Sequence, residues 1–172
     1  MRAAVLLIDG RSGSGKTELG RAIVAGVAGA QLIRLDELYP GWGGLEEGSR
    51  YLRENVLASA TPRWQRWDWA ASGRAECHEV DPDRPLVVEG CGALSHENRA
   101  LAGFGIWVAL DAATRKRRAL ARDGDSYAPH WDGWAAQEDV FLTRENPAAL
   151  ADAVVDGADT MRDLARWRAL LD

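Results

Sequence analysis

Short apolar runs of strand length alternate along this chain with stretches whose apolar residues recur at helical spacing. Residues 3–8, Ala-Ala-Val-Leu-Leu-Ile, form the first run and Asp9 follows it. A continuous apolar run of this length predicts a strand buried on both faces. From Glu18 to Ala28 the apolar positions Leu19, Ala22, Ile23 and Val27 keep to one side of a helix. Residues 31–35 predict a second strand that ends at Asp36, and the breakers in 39–44 predict a loop. Leu45 to Leu57 reads as a helix with Leu45, Leu52, Val56 and Leu57 roughly on one side, closed by Thr61-Pro62. Residues 64–69, Trp-Gln-Arg-Trp-Asp-Trp, follow as an aromatic cluster in irregular sequence. Residues 85–89 predict a third strand and 104–110 a fourth, ending at Asp111. Helices are expected over 112–122 and 133–144, a short fifth strand over 153–155, and a closing amphipathic helix over 160–171. There are no internal repeats, linkers or low-complexity stretches.

Strands alternating with helices over one short chain predict an α/β fold, a single domain over residues 1–172 with a parallel sheet between two helical layers. Ligands of such sheets bind at the carboxyl ends of the strands, near the topological switch point. Asp9, Asp36 and Glu89 all fall at predicted strand ends.

One motif decides what kind of ligand this is. Gly10-Arg11-Ser12-Gly13-Ser14-Gly15-Lys16-Thr17 fits G-x-x-x-x-G-K-[ST], the phosphate-cradling P-loop, and stands between a predicted strand and a predicted helix as its mechanics require. Glycines let backbone N–H groups curl around an anion, and the helix N-terminus adds partial positive charge. Lys16 is expected to reach the β- and γ-phosphates and Thr17 to ligate Mg²⁺. The chain has only two lysines, Lys16 and Lys116, so a sequence that otherwise uses arginine has a slim point charge at this position. The dinucleotide pattern G-x-G-x-x-G fails, because Glu18 stands where its third glycine belongs. The motif predicts a nucleoside triphosphate.

Charge and composition narrow the field. The net charge of −5 gives no reason to expect nucleic acid or an anionic membrane as partner. No stretch approaches the ~18 consecutive apolar residues of a membrane span, and the six-residue N-terminal run leads straight into the P-loop, unlike a secretory signal. Two cysteines, Cys77 and Cys91, make no disulfide framework, and with His78 and His96 they fit no common zinc spacing. A cytoplasmic enzyme is the expectation, with assembly into a homo-oligomer left open.

Four further groups carry candidate chemistry. Glu89 ends an apolar strand, where a carboxylate is costly to bury unless it meets a cation or a water on Mg²⁺; the alternative is a partly exposed strand-end acid. Asp36 can accept a proton from an attacking hydroxyl or help hold Mg²⁺, or it can simply cap a turn. Arg115, Lys116, Arg117, Arg118 and Arg122 form the one dense basic run, with 115, 118 and 122 on one helical face. Such a face either meets an anion or is solvated. Of eight tryptophans, Trp107 and Trp167 fit core patterns. Trp64, Trp67 and Trp69 around Asp68 can form an aromatic wall for a flat substrate or anchor a loop to the core.

With these residues in view, the chain resembles the uridine kinase branch of P-loop nucleoside kinases over nearly its whole length. Asp36-Glu37-Leu38-Tyr39 is similar to the family's D-x-F-Y segment, with Leu38 in place of Phe. Trp67-Asp68-Trp69 is similar to Y-D-F, and Val87-Val88-Glu89-Gly90 to the V-E-G strand end. Arg115, Arg118, Arg122 and Asp123 fall in the register of R-x-x-R-x-x-x-R-D, and residues 151–155 resemble A-D-V-I-I. The resemblance implies a three-layer α/β/α P-loop kinase fold with a five-stranded parallel sheet and a small helical lid at about 115–130. It implies MgATP as donor, Asp36 as catalytic base, and Thr17, Asp36 and Glu89 near Mg²⁺. It implies Arg115, Arg118 and Arg122 on phosphates, and Asp36, Tyr39, Trp67, Asp68 and Arg115 around the acceptor. The expected reaction is γ-phosphoryl transfer to a small-molecule hydroxyl, foremost the 5′-hydroxyl of a nucleoside. The alternatives are a sugar acid or coenzyme precursor as acceptor, or a slow regulatory ATPase. Ser72 stands where the family places a base-contacting His, and Trp replaces both aromatics flanking Asp68; both changes bear on the acceptor. A GTPase is excluded by the absence of N-K-x-D, and no L-S-G-G-Q of an ABC-type ATPase occurs.

Overall fold

A computed structural model describes residues 3–171. In chain order its elements are β1 (Val5–Asp9), α1 (Lys16–Ala25), β2 (Gln31–Arg34), α2 (Leu45–Leu52), β3 (Arg63–Asp68), β4 (Gly73–Glu79), β5 (Leu86–Glu89), α3 (His96–Arg99), β6 (Phe104–Ala109), α4 (Ala112–Asp123), α5 (Trp131–Glu145), α6 (Pro147–Leu150), β7 (Ala153–Asp156) and α7 (Leu164–Ala169). Five strands make one parallel sheet in the order β2-β5-β1-β6-β7. Each crossover between parallel strands needs a connection long enough to hold a helix, which gives three layers. β1 lies at the centre, with Leu6 opposite Val87 of β5 on one side and Phe104 of β6 on the other.

The period of two along β1 divides the core. Leu6 and Ile8 point to the layer of α1 and α7, where they meet Leu19, Ile23 and Trp167. Leu7 points the opposite way, into a cluster with Leu45, Leu52, Trp134 and Phe141 from α2 and α5. Both faces are covered, so β1 and β5 read as unbroken apolar runs. Burying each such side chain contributes about 1.5–3 kcal/mol. Among the described residues no helix is long and apolar enough to cross a membrane.

The sheet and its longer helices match the sequence pattern closely; the short helices α3 and α6 were not expected, and three larger differences stand out. The helix expected over 45–57 is α-helical only to Leu52 and continues as a π-turn over Arg53–Leu57. The closing helix starts at Leu164, after a turn. The stretch 64–69, expected to be irregular, is β3, and it pairs antiparallel with β4 in a separate two-stranded sheet. The register slips between Gln65 and Trp67, which breaks the period-two alternation, and β4 is largely exposed and offers no apolar face to read. The expected lid region begins within α4, continues through two 3₁₀ turns, Gly124–Ser126 and Ala128–His130, and leads into α5. Asp111 caps α4 by accepting from the Thr114 amide at 2.9 Å.

Candidate active site

The chain leaves β1 at Asp9, curls through residues 10–15 and enters α1 at Lys16. Two glycines make that curl feasible. Gly15, at φ 104°, is the N-cap of α1 in a conformation that costs other residues strain. A Cβ on Gly13 would lie 2.2 Å from the carbonyl oxygen of Arg115, so α4 packs directly against the loop backbone.

Lys16 is buried, and its Nζ donates to the Arg11 carbonyl at 3.1 Å. Burial works against its charge, but the acidic groups around it, Glu89, Glu138 and Asp9 among them, raise its pKa. Thr17 Oγ1 donates to Glu89 Oε1 at 2.8 Å. Glu89 is 2% exposed at the end of β5, and its pKa is raised, chiefly by burial and next by the nearby Asp36. Arg34 bridges these two acids, with Nε 3.3 Å from Glu89 and Nη2 3.2 Å from Asp36. The sequence pattern gave no sign of this arginine, which lies in β2 among neighbours of ordinary strand type.

Asp36, expected at the strand end, sits in a 3₁₀ turn, Leu35–Glu37, two residues beyond the end of β2. Its side chain is half exposed and lines the same cavity as Lys16, Thr17 and Glu89. Asp9, the third strand-end acid, is turned away from that cavity. It is 2% exposed and accepts from the amides of Gly10, Gly92 and Leu94 at 2.6, 3.2 and 2.8 Å. Burial pushes its pKa up to about 6, against the pull of those amides and Lys16. Asp9 therefore ties the P-loop to the turn after β5.

The cavity holds about 460 Å³, within the usual range for small-molecule sites. Ser12, Gly13, Lys16 and Thr17 of the P-loop line it, while Gly10, Arg11, Ser14 and Gly15 shape the loop behind. Its other wall is aromatic, built from Tyr39, Trp42, Trp69, Tyr127 and Trp134. Trp42 lies 4.8 Å from Trp69 and stacks on Tyr127 at 5.3 Å. Trp69 Nε1 donates to the Asp36 carbonyl at 2.9 Å, which fastens the hairpin tip beside the expected base. Tyr39 is buried, donates to the Cys91 carbonyl at 2.7 Å and meets Trp134 edge-on at 4.7 Å.

Several residues expected around the substrate lie elsewhere. Trp64 stacks on His78, on the hairpin. Trp67 lies outside the cavity lining, under the guanidinium of Arg74 at 5.7 Å. Asp68 caps the hairpin turn, accepting from the amides of Ala70 and Ala71 at 3.0 and 2.9 Å, so its carboxylate serves the turn. Of the three lid arginines, Arg122 alone lines the cavity, paired with Asp123 at 2.6 Å. Arg115 is buried and donates to the carbonyls of Leu110 and Ser12 at 3.1 and 3.2 Å. Arg118 donates to the Gly157 carbonyl at 2.8 Å. Trp42, Tyr127 and Trp134 were missed because each comes from a different element, and no local pattern joins them.

The donor set fits a polyphosphate and a magnesium ion. A buried ammonium, a hydroxyl and a buried carboxylate share one lining, and hard oxygen donors suit Mg²⁺. Among the described residues no group of three or more His, Cys, Asp or Glu is placed to hold a metal ion by protein ligands alone. Mg²⁺ in phosphoryl-transfer sites commonly takes one or two protein ligands and leaves the rest to phosphate and water.

No protein-family model and no curated protein sequence matches this chain. Solved structures do. A possible uridine kinase from Bacillus stearothermophilus superposes with a TM-score of 0.63 at 19% identity, covering 91% of this chain and 90% of its own. A Thermus thermophilus protein, TT1252, gives 0.58 at 18% identity over 100% of both chains. Shikimate kinase from Bacteroides thetaiotaomicron gives 0.55 at 15% identity over 98% of both. The sheet order, the position of the P-loop and these superpositions agree: the chain has the fold of the P-loop kinases.

Proposed function

We propose that this protein is a small-molecule kinase that transfers the γ-phosphoryl group of MgATP to a hydroxyl of a flat, unsaturated acceptor, with the 5′-hydroxyl of a nucleoside as the best fit. The observation that carries this reading is a single cavity with Lys16, Thr17 and Glu89 on one wall and Trp42, Trp69, Tyr127 and Trp134 on the other. Phosphoryl transfer needs little covalent help from protein; positioning and charge stabilisation suffice. Lys16 supplies a fixed positive charge where negative charge shifts toward the leaving oxygen. Thr17 and Glu89 would hold Mg²⁺, which would offset phosphate charge there. Asp36 lines the cavity beside them and can take the proton of the attacking hydroxyl as the new bond forms. Arg122 faces the cavity and stabilises the migrating group. The indole and phenol rings bury the acceptor's flat face and exclude water. The names of the uridine kinase and shikimate kinase neighbours support the reaction class.

The test is to measure ADP release from MgATP with and without a panel of nucleosides, sugar acids and coenzyme precursors. Release stimulated by a nucleoside, with label from γ-phosphate-labelled ATP recovered on it, is expected. Stimulation by a sugar acid alone would keep the kinase and replace the acceptor. Release that no acceptor stimulates would sink the reading.

A further inference from the structure

The groups assigned above leave one buried carboxylate beside the P-loop without a role. Glu138 lies on α5 and is 2% exposed. Its Oε1 accepts from the Ser12 amide at 2.6 Å, and its Oε2 from Arg11 Nε at 2.8 Å. The Cys91 thiol also donates to Oε1, at 3.3 Å. A charge so deeply buried is tolerated only where its partners are well placed, and here two of the three belong to the first turn of the P-loop. Arg11 completes the grip from the solvent side, with Nη1 2.8 Å from the exposed Asp139 and Nη2 donating to the Ala135 carbonyl at 3.1 Å.

The same loop residue is held from two further directions. Arg115 of α4 donates to the Ser12 carbonyl, and the Tyr127 hydroxyl donates to Ser12 Oγ at 2.9 Å. Amide, carbonyl and hydroxyl of Ser12 are thus each fixed by a different element. Of these holds, only that of Glu138 joins a buried carboxylate to both a backbone amide and a guanidinium, which is the strongest kind of hydrogen bonding available to it.

We propose that Glu138 is a positioning residue of the phosphate loop: through the Ser12 amide and the Arg11 guanidinium it fixes the first turn of the loop so that Lys16 and the following amides meet a polyphosphate. The proposal rests on the reading of this loop as the phosphate site. It carries a sign that a purely electrostatic role would reverse. A carboxylate near Lys16 repels a polyphosphate, so if its charge were its only effect, Glu138→Gln would tighten binding. If it positions the loop, the same change loosens binding, because the Gln amide cannot accept from Ser12 and Arg11 together.

The experiment compares wild type with Glu138→Gln, and with Arg11→Lys as a second variant at a more exposed side chain should the first fail to fold. Inorganic tripolyphosphate and MgATP serve as probes by calorimetry, and exchange of the Ser12 amide proton is followed by NMR. Glu138→Gln is expected to weaken both probes ~10-fold or more and to speed Ser12 exchange by a similar factor, as loss of a hydrogen bond to a charged group does. Arg11→Lys is expected to move both readouts the same way by less. Asp139→Asn, which removes only the exposed outer partner of Arg11, is expected to move them less than Arg11→Lys does. Unchanged or tighter probe binding in Glu138→Gln, with wild-type exchange at Ser12, overturns the role of Glu138 and leaves the kinase reading standing. Failure of wild type to bind either probe overturns the phosphate-site reading, and this proposal with it.

Discussion

The two walls of the cavity are built on different principles. The phosphate wall comes from consecutive residues between β1 and α1, reinforced by a glutamate at the next strand end. Its donors are backbone amides, one lysine and one hydroxyl, so its shape follows from local geometry. The aromatic wall draws Trp42 from a loop, Trp69 from the hairpin tip, Tyr127 from the residue between two 3₁₀ turns and Trp134 from α5. These are held by ring contacts such as Trp42 on His130 at 4.3 Å and by one indole hydrogen bond to Asp36. Each ring pair adds about 0.5–1.5 kcal/mol beyond its buried area. The first wall can be broken only by changing its chemistry, whereas the second shifts whenever one of its parent elements moves. On the kinase reading proposed above, acceptor choice can therefore vary on this scaffold while the donor site stays fixed.

The sharpest break of the phosphate wall is Lys16→Ala. It is expected to lower kcat/KM by ~10³-fold, as loss of a charge-stabilising group at the reacting centre does. The fold is expected to survive, because Lys16 makes one hydrogen bond, to the Arg11 carbonyl. Near-normal turnover in a variant with wild-type circular dichroism would remove Lys16 from the mechanism.

Asp36→Asn probes the seam between the walls. It keeps the shape and an acceptor oxygen but loses the basicity, and is expected to lower kcat by ~10²-fold with MgATP affinity little changed. Its side chain is half exposed and pairs with Arg34 at 3.2 Å, so a role confined to the turn predicts a small loss of stability and full turnover. Single-turnover kinetics with the cognate acceptor distinguish the two.

The same division explains what the sequence made legible. The five-stranded sheet, the P-loop and the placement of Glu89 could be read because each is a contiguous pattern with its own mechanics. Position and resemblance single out Asp36, and it lines the cavity. The hairpin was not legible: its register slip destroys the alternation that marks a strand, and β4 carries few apolar residues. Arg34, Glu138 and the ring from α5 were invisible for another reason. Their roles arise from contacts such as Ser12 with Glu138, 126 positions apart, and such pairing leaves no local signal. The basic face of α4 divides, with Arg122 lining the cavity. Arg115 and Arg118, expected on phosphates, both donate to backbone carbonyls, contacts that no local pattern announces.

Within the phosphate wall, Asp9 and Glu89 offer a finer contrast, since both are buried strand-end acids and only Glu89 faces the cavity. With the pKa of Asp9 pushed from 3.8 to about 6, the native state holds that proton more tightly than the unfolded chain. Its contribution to stability is therefore greatest below pH ~4 and declines as pH rises to about 6, by on the order of 2–3 kcal/mol. Denaturant melts of wild type and Asp9→Asn across that window are expected to show the wild-type advantage shrinking as pH rises. A difference that stays flat would mean the three amides fully offset the burial. Glu145 acts in the opposite sense at lower pH. Burial raises it, but Arg144 and the His96 amide outweigh this and hold it at about 2, so its contribution is lost as pH falls from 4.5 toward 2.

The smallest expected effects sharpen the aromatic wall, and they come from two tryptophans two residues apart. Trp69 lines the cavity, lies 4.8 Å from Trp42 and is tied to the Asp36 carbonyl. Trp69→Ala is expected to raise acceptor KM ~10-fold, the cost of one aromatic contact of about 1.5 kcal/mol, with MgATP affinity unchanged. Trp67 sits within β3 opposite Arg74, whose guanidinium covers its ring, and lies outside the cavity lining. Trp67→Ala removes that cation–π contact, worth roughly 0.5–1 kcal/mol at a half-exposed site, and is expected to lower hairpin stability while changing acceptor KM less than about threefold. Because the two positions share the hairpin, loosening of the tip alone would affect both variants alike. Measuring KM for the same acceptor in the pair separates the effects: a large rise for Trp69 with little for Trp67 assigns the wall to Trp69. Equal rises would mean that the hairpin acts as a whole and that neither ring meets the acceptor individually.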